Sequence, residues 1–421
     1  MFSIHLSLAV ITSSLLWCSM VHGQQDWPQW RGPNRDGKST ETDIVDEFTG
    51  AGPPLLWEVD GLGSGYSSIA VANGIIYTLG RRENMEQLIA INIATGQEIW
   101  SVDVGNGSHS NGTPTVDGNR VYAIGLQGNL VCADTSSGEI IWQKNFSRDF
   151  GGEMMSGWGY SESPLIDGQQ LICSPGARNA MLVSLDKKTG VERWRAAVPD
   201  YGDRGTNGAG YSSVVISEAA GVKQYVQLTG QGVIGIRARD GHFLWGYNDV
   251  ANNTANIPTS IVSGDYVFCS SGYGTGAALL HLTRDRDEFL VKEVYFLKAK
   301  TFQNHHGGMI LVGDYIYAGA QHNEGFPICI ELKTGKVAWG GNQRGPGSGS
   351  AAITFVDGKL IFRYQNGIVA LIDANEKEYR LRGSFMPRYQ KDNSWAHPVV
   401  AGGRLYLREQ DRILCYDIRK S

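Results

Sequence analysis

The side chains able to do chemistry in this chain sit in short loops and form no recognised catalytic motif. His109, Trp158, Glu162, His305, His306, Trp395 and His397 each lie just ahead of a short apolar segment, and Arg178 and Gln321 lie between two such segments. The imidazoles could move protons or bind a metal. Ligation needs three or four donors together, about 2.0–2.1 Å from one ion. The chain has no H-x-H or H-E-x-x-H spacing. His109 and the His305/His306 pair belong to loops on opposite sides of any ring-like fold, so no metal site is predicted. Glu162 is the main carboxylate of these loops, with Glu324 and Glu409 behind it. Calcium takes roughly six to eight oxygen ligands, several of them carboxylates, so one glutamate is thin support for a calcium site. Gly230-Gln231-Gly232-Val233-Ile234-Gly235 matches a dinucleotide fingerprint in letters. That motif must lead into a helix, and here a strand-like run follows, so it reads as a hairpin turn. No catalytic residue is assigned, and the nine loop residues named first stand as a candidate ligand-binding set.

The elements that must hold these loops are read from repeats. Ala94-Thr95-Gly96-Gln97-Glu98-Ile99-Trp100 recurs as Thr135 to Trp142, Lys188 to Trp194, Arg239 to Trp245 and Lys333 to Trp339, with Trp57 fitting the series. Degenerate copies fall near Tyr295 and Leu381. A second marker, an Asn-Gly or Asp-Gly type turn between apolar runs, appears at Asn73-Gly74, Asp117-Gly118, Asp167-Gly168, near Gly221, and at Gly264, Gly313, Asp357-Gly358 and Gly402-Gly403. Such dipeptides supply the positive φ of a tight hairpin. Both markers give eight units. The first reads as strands at Ser67–Ala72, Ile75–Leu79, Gln87–Ile93 and Glu98–Val104. Four strands per unit of roughly 40–50 residues is the pattern of a β-propeller. The last unit runs out of chain after three strands, and Leu55–Val59 is free to supply the fourth. The expected fold is all-β, an eight-bladed propeller of four-stranded antiparallel blades over residues 55–421. In such a ring the loops between units, and those between second and third strands, share the face around the axial channel, which is where a ligand would bind.

Composition agrees. Of 421 residues 55 are glycine and only 13 proline, which suits a turn-rich globular fold without a collagen period. The net charge of −5 and the lack of a basic run speak against nucleic acid as a partner. Residues 1–23 read as an export signal, with an apolar Leu6–Leu16, small Val21 and Gly23, and Gln24 opening the mature chain, although no Lys or Arg precedes the apolar run. No later stretch approaches the roughly 20 apolar residues of a membrane span. The expectation is an exported periplasmic or extracellular monomer, with residues 24–54 as a Trp-rich lead segment lodged against the propeller. Cys132, Cys173, Cys269, Cys329 and Cys415 lie in apolar runs without a CxxC pair and are expected to be buried and free.

The unit ending Leu185-Asp186-Lys187-Lys188-Thr189-Gly190-Val191-Glu192-Arg193-Trp194 resembles the tryptophan-docking repeat of the pyrroloquinoline quinone (PQQ) propeller superfamily. The leading Trp27-Pro28-Gln29-Trp30-Arg31-Gly32-Pro33-Asn34 resembles the opening of many exported bacterial members. The resemblance implies that the tryptophans dock blade to blade. It implies either of two functions, because the superfamily holds quinoprotein dehydrogenases and non-catalytic scaffolds of the BamB type. The dehydrogenases carry an adjacent cysteine pair, calcium-binding carboxylates, an aspartate base and an aromatic floor beneath the quinone. This chain has no adjacent cysteines, and Trp158 or Trp395 could supply the floor. The sequence favours an exported, non-catalytic scaffold that binds an envelope protein or a small ligand. The alternative is a PQQ- and calcium-dependent oxidoreductase acting on alcohols or sugars.

Overall fold

The computed structural model describes residues 26–420, so the export signal expected over residues 1–23 lies outside the described residues. Eight antiparallel sheets of four strands each follow one another along the chain. Blade 1 spans Ala70–Gly105, blade 2 Thr115–Asn145, blade 3 Leu165–Ala196 and blade 4 Val215–Tyr247. Blade 5 spans Ile261–Lys298, blade 6 Met309–Gly340 and blade 7 Ala351–Phe385. Blade 8 takes three strands from Val399–Asp417, and Leu55–Val59 joins as its outermost strand beside Arg412–Asp417. The register pairs Trp57 with Cys415 and Val59 with Ile413. The ring is thereby closed, and the edge of Arg412–Asp417 is covered.

The repeated Thr-Gly turn and the repeated tryptophan are two halves of one joint. Gly138 has φ 75°, and a Cβ placed there would lie 2.7 Å from the Trp100 ring of the preceding blade. The same relation holds for Trp57 over Gly96, Trp142 over Gly190, Trp194 over Gly241 and Tyr295 over Gly335. Glycine is needed twice over, for the left-handed turn and for the space the ring occupies. The Trp100 and Trp142 indole N–H groups donate to the carbonyls of Thr135 and Lys187 at 3.0 and 3.1 Å, and the Tyr295 hydroxyl donates to Leu332 O at 2.7 Å. Tyr295 therefore fills the tryptophan's place in the unit whose sequence had drifted. The five cysteines are buried and free. Gly230-Gln231-Gly232 is the turn between the strands Gln224–Thr229 and Gly232–Arg237, as the hairpin reading requires.

Candidate functional site at the mouth of the axial channel

The loops entering each innermost strand and the loops between second and third strands all lie on one face, and the aromatic and imidazole side chains they carry meet edge to face. Tyr66, ahead of blade 1, packs 5.9 Å from His109, ahead of blade 2, and 4.7 Å from Trp395, ahead of blade 8. Trp395 stacks on His306 at 4.2 Å with the rings 18° from parallel, and its indole N–H donates to Gln365 of blade 7 at 2.8 Å. His306 meets His305 at 3.9 Å, and His305 meets His322 at 4.2 Å. Tyr273 of blade 5 closes on both, 5.1 Å from the His305 ring and 4.4 Å from His322, with its hydroxyl 3.1 Å from His305 Nε2. Tyr273 packs into one apolar cluster with Tyr211 and Met155, and Tyr211 lies 6.0 Å from Trp158. Asn111, two residues beyond His109, donates to Trp158 O at 3.2 Å. Seven of the eight blades thus contribute rings to a collar around the mouth, and blade 7 contributes the Gln365 amide. Trp158 is its most accessible member at 51% exposure.

The imidazoles of the collar are neutral near pH 7. Burial and the neighbouring imidazoles push His305 down to about 2, and burial first, then His322, pushes His306 down to about 3. His397, buried beside Arg31, is likewise held down to about 3, and burial lowers His109 and His322. An imidazole so hard to protonate is a poor general base near neutrality. It is a hydrogen-bonding and stacking surface instead.

The candidate residues fall into three groups. His109, Trp158, His305, His306 and Trp395 come together in the collar. His397 lies just inside it, 4.5 Å from Trp30 and with Nε2 3.3 Å from His306 O. Gln321 takes part at the edge, its side-chain oxygen accepting from Gln303 at 3.3 Å. Arg178 stands apart, exposed and ion-paired with Asp200. Glu162 is buried beneath the collar, where it accepts from the backbone N–H and hydroxyl of Ser174 at 2.7 and 3.1 Å. Burial outweighs those bonds and the nearby Arg35 and raises its carboxyl to about 8. Glu409 is also spent internally, 2.7 Å from Arg363 and bonded to the backbone of Lys391 and Asp392 at 3.2 Å. Glu324 pairs with Arg344 at the surface.

Sequence reasoning passed over Tyr273, which sits in the second-to-third-strand loop of a degenerate unit, and Tyr66 and Tyr211 are further collar residues outside the candidate set. Gly-Tyr-Ser recurs at residues 65–67, 159–161 and 210–212, and its tyrosines have split roles. Tyr160 is buried against Phe146 and donates to Pro175 O at 2.8 Å, whereas Tyr66 and Tyr211 face the collar.

The lead segment occupies the other end of the channel. Trp27 is buried and exchanges backbone hydrogen bonds with Val71 at 2.8 Å, and Val116 N donates to Pro28 O at 2.7 Å. Arg35 donates to Ser163 O and Pro164 O at 2.7 and 3.0 Å, and Ser39 N to Phe355 O at 2.8 Å. In a dozen residues the chain crosses from blade 1 to blade 7, bonding to innermost strands on the way.

A sequence profile for the family described as outer membrane protein assembly factor BamB matches residues 45–124 and 84–341, more than two thirds of the chain. The chain belongs to this family. Its fold is similar to that of the quinohemoprotein alcohol dehydrogenases from Comamonas testosteroni (TM-score 0.63, 12% identity) and Pseudomonas putida (0.64, 13%), in each case over 94% of this chain and 81% of the other. BamB from Moraxella catarrhalis aligns over 90% of this chain and 96% of its own at 14% identity with a TM-score of 0.43. A search of curated sequences found no match. At these identities the likeness to the dehydrogenases extends to the fold alone. Among the described residues of this BamB-family chain, no three His, Cys, Asp or Glu side chains are grouped to hold a metal ion. Glu162 and Glu409 are bonded inward and only Asp392, beside Tyr66, remains exposed, so the several carboxylates that a calcium-bound quinone needs are not gathered at the mouth.

Proposed function

We propose that this chain is an exported, non-catalytic propeller of the cell envelope whose collar binds a partner protein. The observation that carries the reading is the collar itself, a surface of packed aromatic rings and neutral imidazoles in which Trp158 stands half-exposed while Glu162 and Glu409 are bonded inward. Aromatic rings offer large contact area at low entropic cost and dominate the energetics of protein interfaces. Membership of a family named for outer-membrane protein assembly supports a protein partner over a metabolite, and the apolar Leu6–Leu16 run supports export to where such a partner resides. The described residues contain no helix long and apolar enough to cross a membrane.

A quinoprotein reading has one observation behind it, the flat Trp395–His306 stack that could floor a planar cofactor. Titration of the purified protein with PQQ and calcium, followed by absorbance and melting temperature, separates the two. The scaffold reading expects neither a saturable quinone spectrum nor a shift in melting. A stoichiometric isotherm with dye reduction on alcohols or sugars would overturn it.

A further inference from the structure

At the end of the channel away from the collar, the lead segment roofs a cavity of about 360 Å³. Its walls are the apolar faces of the innermost strands of blades 3 to 6, including Leu165, Ile216 and Met309, and exposed Pro33 and Asn34 form its rim. Its roof is cationic. Arg31 and Arg35 are 4% and 5% exposed, and Lys38 lines the cavity with them. The only carboxylate in the lining is Asp36, which is already paired with Lys38 at 3.1 Å. Arg31 donates to Asp36 O and Met309 O, and Arg35 to carbonyls and to Gln29, so among the described residues neither guanidinium bonds a carboxylate. Glu162, the acid that acts on Arg35, accepts its hydrogen bonds from Ser174. Arg31 Nε, Arg35 Nε and the Ser260 hydroxyl, all in residues lining this one cavity, are buried with no partner among the described residues.

Two buried guanidiniums that bond no carboxylate, with Asp36 shared with Lys38 as the one acid in the lining and an unpartnered hydroxyl beside them, are costly unless something anionic adds to that charge. Guanidinium forks match the geometry of phosphate and carboxylate oxygens. From this juxtaposition we propose that the cavity under the lead segment is a binding site for a small oxyanion, a phosphate, sulfate or carboxylate group carried by a compact molecule. Burial lowers both arginines only to about 10, so both remain charged near pH 7. The lining of this site includes none of the collar residues.

The test is the melting temperature and calorimetric titration of the full protein with sodium phosphate, sulfate, glycerol phosphate or succinate, against sodium chloride at matched ionic strength. A saturable rise in melting temperature with at least one oxyanion is expected, and the ranking of free phosphate, phosphate ester and dicarboxylate identifies the carrier. Arg31→Met should abolish the isotherm. Because that variant alters a buried group, the double variant Lys38→Met/Ser260→Ala, which leaves both arginines in place, should weaken binding about tenfold while melting normally without anion. Equal response to oxyanions and chloride would overturn the proposal, as would an isotherm that the double variant leaves unchanged.

Discussion

The two ends of the axial channel are built from opposite materials. The mouth is a ring of aromatic and imidazole groups, supplied by many separate loops and touching mainly their neighbours. The far end is one continuous segment bonded by backbone and by buried guanidiniums to the innermost strands of several blades. A surface assembled from eight loop tips can change one residue at a time without disturbing the ring, and loops of this kind carry function on a rigid scaffold. A segment that ties the blades together cannot. The difference teaches that the mouth should be read for recognition and the lead for closure of the ring.

Deleting residues 26–59 should have the largest effect. It removes the lead, the outer strand of blade 8 and the Trp57–Gly96 joint across the seam of the ring. The melting temperature should fall on the order of 10 °C or more, or the protein should aggregate. A variant that melts normally would mean the ring closes without its N-terminal strand. Next in size is a pair of single changes. Arg35→Ala leaves the buried Ser163 carbonyl without its donor and Pro164 O with only the Thr115 hydroxyl, and should cost about 1–3 kcal/mol in denaturant unfolding. Trp158→Ala, at an exposed position, should stay within about 0.5 kcal/mol of the parent. Similar losses at both sites would erase the distinction between the ends.

The smallest effect is on pH dependence, where collar and interior pull in opposite directions. His305, His306 and His397 stay neutral in the folded protein down to about 2–3 but protonate near 6.5 when unfolded, so their contribution is present above 6.5 and is lost as pH falls toward 3. Glu162 stays protonated up to about 8 when folded but ionises near 4.5 when unfolded. Its contribution is full below 4.5 and is lost as pH rises through 8. Stability should therefore rise from pH 4 to about 6.5. Between pH 6.5 and 8 Glu162 should cost about 2 kcal/mol, a decline that Glu162→Gln removes. If Glu162→Gln leaves the alkaline side of the melting curve unchanged, the carboxyl is not held neutral.

The fold could be read from residues because each blade repeats its own local chemistry. Asn73-Gly74 and its counterparts announce hairpins, Gly96 and Trp100 announce the joints, and a final unit one strand short points back to Leu55–Val59. The site was legible only in part, because nothing in one repeat states which residues of distant loops meet. Trp395 and His306 belong to units separated by a whole blade, yet they stack. Glu162 looks like a loop carboxylate in the sequence, and only packing against Ser174 shows it turned inward. Arg31 and Arg35 lie in a segment whose tryptophans draw the eye, and their burial depends on strands more than a hundred residues away.

The most direct test of the scaffold reading is capture from envelope extracts of the source organism with the wild-type protein, the collar variant Trp158→Ala/Tyr66→Ala and the far-end variant Lys38→Met/Ser260→Ala, compared by quantitative mass spectrometry. A defined polypeptide retained by the wild type and the far-end variant but lost at least tenfold from the collar variant is the predicted result. Capture indifferent to the collar residues would contradict the assignment of the mouth as the docking surface.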